Sequence, residues 1–154
     1  VVCAVLIADC LPVLLASRAG TAVGVAHAGW RGLAAGVVES TVAALAGLGV
    51  EARELVAWLG PGIGPAAFEV GADVVDAFCA GDRGAAACFA PLREGKWHAD
   101  LASLARRRLR AAGVTRIAGG GFCTHTDGAR FFSYRRQRAS GRMAALAWLD
   151  RDGV

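Results

Sequence analysis

Three short apolar runs, Val1 to Ala8, Leu11 to Ala16 and Thr21 to Ala26, follow one another with almost nothing between them. Each is rich in β-branched or other apolar residues and too short for a core helix, so each reads as a strand of a buried sheet. Asp9-Cys10 separates the first two runs, and the turn Ser17-Arg18-Ala19-Gly20 separates the next two. A chain that starts with packed strands and then turns helical must build a sheet with helices laid against it. The helical signal comes next. Leu33, Val37, Val38, Val42, Leu45 and Leu48 recur mostly at three- to four-residue spacing, which predicts one helix of about four turns stopped by Gly49.

Further along, Leu55 to Leu59 reads as a strand running into the rigid loop Gly60-Pro61-Gly62-Ile63-Gly64-Pro65. Phe68, Val70, Val74, Val75 and Phe78 predict a second helix, and Gly81 to Gly95 is small, polar and loop-like. Asp100 is placed to cap a third helix with the apolar face Leu101, Leu104, Ala105 and Leu109. Arg106, Arg107 and Arg110 lie on its other side and read as a solvated face. Arg116 to Phe122 is a strand, and Phe131 to Arg136 with Arg142 to Leu149 read as a closing hairpin. Strands and helices mix without strict alternation, so the expected class is α+β with mixed sheet layers and flanking helices.

The 154 residues, 55% hydrophobic and 19% charged, suffice for a single domain spanning residues 1–154 with a real core. The first apolar stretch stops at Asp9, far short of the roughly 20 residues of a membrane span, and no basic segment precedes it as in a signal peptide. The five cysteines include no CxxC pair, so neither a disulfide framework nor a zinc ribbon is suggested. With no export signal, a reducing cytoplasm is the expected compartment. Cys3, Cys79 and Cys88 read as small buried hydrophobes. A net charge of +4 favours anionic small molecules over nucleic acid, because the cations are scattered and few aromatics lie among them. The expected partners are therefore small molecules, with no nucleic acid and no membrane.

Two functional groups stand at strand ends: Cys10 after the first strand and His27 after the third. The chain between them can fold back and bring them side by side. A thiolate beside an imidazole serves as an activated nucleophile with its base. It also supplies two of the three protein ligands of a catalytic zinc site. After His27, Gly29 and Gly32 flank Trp30-Arg31 at a predicted helix start. Free amides and a guanidinium there would suit phosphate; the alternative is that the glycines only permit close packing. Residues 60–65 are either a ligand-facing loop or a stiff turn. Phe131-Phe132-Ser133-Tyr134-Arg135-Arg136 sets aromatics beside two arginines, fit for a planar base and a phosphate or for an amphipathic strand.

Four segments together, ADCLPVLL from Ala8, HAGWRG from His27, GPGIGPAAFEVG from Gly60, and FFSYRR from Phe131 followed by GRMA from Gly141, resemble the laccase-domain family. These are the bacterial proteins once called polyphenol oxidases and also named peptidoglycan editing factors, with a purine nucleoside enzyme of animal macrophages as a relative. The resemblance covers essentially the whole chain. It implies a fold similar to cysteine hydrolases related to a bacterial cytotoxic factor. It implies a site of one Cys and two His, often with zinc, copper being the less expected metal. The family's cysteine falls on Cys10 and its second histidine on His27, as catalytic residues and metal ligands. Its first histidine falls upstream, so the chain is expected to be the C-terminal major part of such a protein. His98 and His125 do not fall on the missing position. Arg31, Gly29 and Arg135 are the expected substrate and phosphate contacts.

The activity so implied is phosphorolysis of adenosine, inosine and methylthioadenosine to base and ribose-1-phosphate, with hydrolytic deamination of adenosine. Two other activities go with the family's names: hydrolytic editing of a peptidoglycan precursor, and laccase-like phenol oxidation with copper. A multicopper centre needs many imidazoles, and the three histidines, none paired as HxH, do not build one.

Overall fold

A computed structural model describes residues 1–150. The three opening runs form strands as expected: β1 (Val2–Ile7), β2 (Leu11–Ser17) and β3 (Val23–Ala28). β2 and β3 are an antiparallel hairpin, with Leu11 opposite Ala28 and Pro12 opposite His27. β4 (Leu55–Leu59) adds to the other side of β2, antiparallel, and β8 (Arg116–Gly119) adds parallel to β4. The order of this central sheet is β3-β2-β4-β8. Its inward residues, Leu11, Val13, Leu15, Leu55, Ala57 and Leu59, alternate with less buried ones and form the floor of the core.

The predicted long helix is two helices. α1 (Trp30–Ala34) stops and α2 (Val37–Ala46) starts around Gly36, whose φ of 90° only glycine adopts readily. The break lets Leu33 and Val38, both fully buried, point into the same core from differently directed helices. The second predicted helix is also shorter. Glu69 and Val70 form β5 against β7 (Lys96–Ala99), and α3 (Ala72–Cys79) begins only after Gly71.

The stretch expected to be a loop is largely ordered. A 3₁₀ segment, Arg83–Cys88, leads into β6 (Phe89–Arg93), which pairs with β7 (Lys96–Ala99) across a Glu94-Gly95 turn. The order β5-β7-β6 makes a second, three-stranded sheet. α4 (Leu101–Ala111) follows the expectation: Asp100 accepts the Ser103 N–H at 2.9 Å, and Leu101, Leu104, Ala105 and Leu109 are buried. Its arginines are not simply solvated. Arg107 holds Asp82 through two 2.7 Å bonds, and Arg106 donates to the Gly119 carbonyl. Arg108 reaches Glu39 on α2.

The closing hairpin does not form. Residues 131–133 are irregular and 134–136 a turn, gathered by Arg136, whose guanidinium donates to the carbonyls of Thr124, His125 and Phe131. Satisfying three carbonyls from one side chain coils the segment and removes the extended backbone a strand needs. β9 (Met143–Trp148) pairs instead with β1, antiparallel from Val2–Trp148 to Ile7–Met143. The architecture is α+β, as the sequence predicts. No helix among the described residues is long and apolar enough to cross a membrane.

Candidate active site

The site grows out of the turn between β1 and β2. Asp9 has a φ of 87°, and Cys10 follows it immediately before β2. Because Leu11 pairs with Ala28, the register carries Cys10 alongside Gly29. A side chain at Gly29 would put its Cβ 2.7 Å from the Cys10 sulfur, so only glycine leaves the thiol where it is. His27 pairs with Pro12, two residues from Cys10 on the neighbouring strand. The two predicted partners thus share one corner of the sheet. Gly24, Ala26 and Ala28 are buried, whereas His27 between the last two is exposed.

Cys10 opens into a cavity of about 280 Å³. Asp9, Gly29, Arg31, Phe68, Tyr134 and Arg135 are among its walls, with Ile63 from the 60–65 loop; His27 is not. Four of the five residues predicted for the site therefore meet around one space, and His27 stands next to it. The Arg135 guanidinium lies 5.3 Å from the Phe68 ring centre and donates to the Glu69 carbonyl at 3.1 Å. Arg31 lies 4.4 Å over the indole of Trp30. Both arginines are held by aromatic faces, which leaves their outer N–H groups for an anion. α1 has only five residues, so its dipole is small and the arginines carry the positive charge.

Burial pushes the Cys10 thiol above the ordinary cysteine range, and the Asp9 charge pushes it the same way, with Arg142 opposing. Such a thiol keeps its proton near neutrality unless a base or a cation takes it. Cys123 behaves differently. Burial raises it too, but donors from Thr126, Gly64 and His125 outweigh that and hold it below the ordinary value. The Gly64 N–H reaches its sulfur at 3.2 Å.

Zinc or copper needs converging donors. Among the described residues no group of three His, Cys, Asp or Glu side chains comes together, and Cys10 and His27 offer two donors where a catalytic zinc takes three. The described residues alone therefore do not fit the metal.

Sequence reasoning did not single out Asp9, Phe68, Tyr134 or Thr124. Asp9 had a readable signal, a carboxylate next to a strand-end cysteine. Phe68 counted as an apolar position of the predicted second helix, and Tyr134 lay in the segment 131–136 that fits either a planar base and a phosphate or an amphipathic strand. Thr124 carries no local signal, since its importance comes from contacts 115 positions away in the chain. Of the adjacent arginines, Arg135 faces the cavity and Arg136 holds backbone.

A family model described as multi-copper polyphenol oxidoreductase laccase matches residues 1–150. The chain is 56% identical, over 97% of its length, to a purine nucleoside phosphorylase of Pseudomonas aeruginosa, of which it covers 61%. It is 54% identical, over 96% of its length, to the purine nucleoside phosphorylase YfiH of Escherichia coli, covering 59% of that protein. The crystal structure of a Neisseria meningitidis protein superposes with a TM-score of 0.92 at 54% identity, over 97% of this chain and 60% of that one. Bacillus licheniformis YfiH superposes at 0.89 with 31% identity, over 94% of this chain and 56% of that one. The chain thus spans about three fifths of the length of the relatives it matches.

Proposed function

The chain belongs to the multi-copper polyphenol oxidoreductase laccase family, and from that premise we propose that it carries the substrate cavity of a purine nucleoside phosphorylase. The observation that carries this reading is the cavity itself, lined by a strand-end cysteine, two guanidinium groups and three aromatic side chains. Its volume of about 280 Å³ lies just under the ~300–1,000 Å³ of small-molecule sites. The substrates are purine nucleosides (adenosine, inosine and methylthioadenosine) with inorganic phosphate. Hydrolytic deamination of adenosine is a second reaction read for the same cavity, and the compartment is the cytoplasm.

In phosphorolysis a phosphate oxygen bonds to the anomeric carbon as the bond to the purine nitrogen breaks. The electron pair leaves with the base, which takes up a proton. Two needs follow: a cationic cradle for phosphate and a planar surface for the departing base. Arg31 and Arg135 serve the first, and Phe68 and Tyr134 the second. Gly29 keeps the wall beside Cys10 open. The Cys10 thiol, protonated near neutrality, supplies the proton that the departing base takes up, and His27 at the adjoining register position returns one to the thiolate. Cys10 and His27 would supply only two of the three protein donors that a catalytic zinc, or copper in its place, requires, and residues 1–150 do not complete the set, so the reaction is derived from the protein's own side chains.

The test is product analysis by chromatography. The 154-residue chain, and the same protein extended to the length of its relatives, are incubated with inosine or adenosine with and without phosphate. Phosphate-dependent release of base, lost in Cys10→Ser and retained in Cys79→Ser, is the expected result. Equal losses in the two variants mean that the cysteines act through folding. An extended protein that releases no base at all sinks the reading. Inosine appearing from adenosine without phosphate reports the deaminase reaction.

A further inference from the structure

Asp9 is buried, and among the described residues it is the only non-glycine with a positive φ, 87°. Side chains crowd the backbone in that region, so the conformation persists only where surrounding contacts impose it. Here three contacts do. The Asp9 carbonyl accepts the Ile63 N–H at 2.8 Å. One carboxylate oxygen accepts the Thr124 hydroxyl at 2.7 Å, and the other accepts the Arg135 backbone N–H at 2.7 Å. Thr124 is fully buried, and its own N–H donates to the Gly62 carbonyl at 2.9 Å.

We propose that Asp9 is the positioning residue of this site, a buried knot that fixes the Cys10 thiol and the Arg135 wall relative to each other, its carboxylate held in place by the Thr124 hydroxyl. The segments it joins are far apart in the chain: the β1–β2 turn, the 60–65 loop, the 123–124 segment and the 134–135 segment. Ile63, Tyr134 and Arg135, from two of them, line the same cavity as Cys10. The positive φ turns the chain just before Cys10 and directs that residue toward Gly29 and the cavity. The two carboxylate oxygens let Asp9 accept a hydroxyl and an amide hydrogen from different segments, one on each oxygen. Both oxygens are engaged, so Asp9 acts through its neighbours. That the knot serves nucleoside turnover rests on the function proposed above; that it holds Cys10 does not.

The experiment separates the two. Thr124→Val keeps the shape and removes the hydroxyl donor; Thr124→Ser returns it. Thr41→Val, which loses a 2.7 Å hydroxyl bond to Val37 on α2, is the control. Labelling by iodoacetamide is followed at each cysteine by mass spectrometry. In Thr124→Val the Cys10 rate rises several-fold while Cys3 and Cys88 keep theirs, and Thr124→Ser and Thr41→Val match the parent. In the extended protein, base release by Thr124→Val falls about tenfold, chiefly in kcat, as a small misplacement of a reacting group predicts. Unchanged Cys10 labelling in Thr124→Val, identical behaviour of Val and Ser, or acceleration of all five cysteines together overturns the proposal. Should Thr124→Val fold poorly, Asp9→Asn against Asp9→Ala gives the same reading: Asn keeps an oxygen for the Arg135 N–H and an amide that donates to the Thr124 hydroxyl, and holds the Cys10 rate, whereas Ala does neither. Expected labelling with no base released by the extended parent leaves the knot standing and removes the nucleoside reading.

Discussion

At the scale of the residue, the constraint that bears on the thiol is the contact between Gly29 and the Cys10 sulfur. A methyl group at position 29 would stand 2.7 Å from that sulfur, inside any real contact distance, and the short Cys side chain has to rotate away. Gly29→Ala is therefore expected to leave the fold intact at a cost of about 1–3 kcal/mol while displacing the thiol from the cavity. Slower labelling of Cys10 at unchanged circular dichroism is the check, and a parental labelling rate would show that the contact does not constrain the thiol. The same contact shows why some site residues were readable and others not. Cys10, Gly29 and Arg31 stand in short motifs with strand and helix signals around them. Thr124 matters only because Asp9 is folded against it.

At the scale of the element, local rules served well wherever one element answers to its own sequence. α4 has a capping carboxylate, a clean apolar face and basic residues in its last turn, and it forms over Leu101–Ala111. Asp100 also accepts the Ser103 hydroxyl at 2.8 Å, so the cap holds two donors. Asp100→Ala is expected to cost about 1 kcal/mol and lower Tm by about 2–4 °C; a Tm unchanged within a degree would mean the helix end is held by packing alone. Local rules failed where another element decides. The apolar spacing from Leu33 to Leu48 satisfies one helix, but Gly36 breaks it in two. Val70 fits the helical period of α3 and is taken by β7. Phe89 to Arg93 contains Pro91 and exposed positions, a poor strand signal, yet it pairs because Lys96–Ala99 folds back on it.

At the scale of the molecule, the core lies between the central sheet and the helices α1, α2 and α4, and the β1–β9 ribbon lies on the other side of that sheet. The ribbon's outward residues, Val2, Ala4, Leu6, Ala144, Leu146 and Trp148, are all apolar and all exposed. Hydrophobicity alone does not distinguish them from the core, so stability must. Leu109 is fully buried, and Leu109→Ala is expected to cost about 2–5 kcal/mol. Leu146 is 49% exposed, and Leu146→Ala is expected to cost under about 1 kcal/mol. Urea unfolding midpoints compare the two directly, and equal shifts would place the ribbon within the stabilising core. The sequence by itself determined the strand-strand-strand-helix opening, the α+β class, the α4 helix and the candidates Cys10, Gly29, Arg31 and Arg135, because each rests on periodicity, capping or a short motif. Tertiary structure alone decided that β1 pairs with β9, that His27 stands beside the cavity, and that Asp9 binds Thr124 and the Arg135 amide. Those three facts depend on contacts between segments more than a hundred residues apart or on strand register, and neither is written in any local stretch of chain.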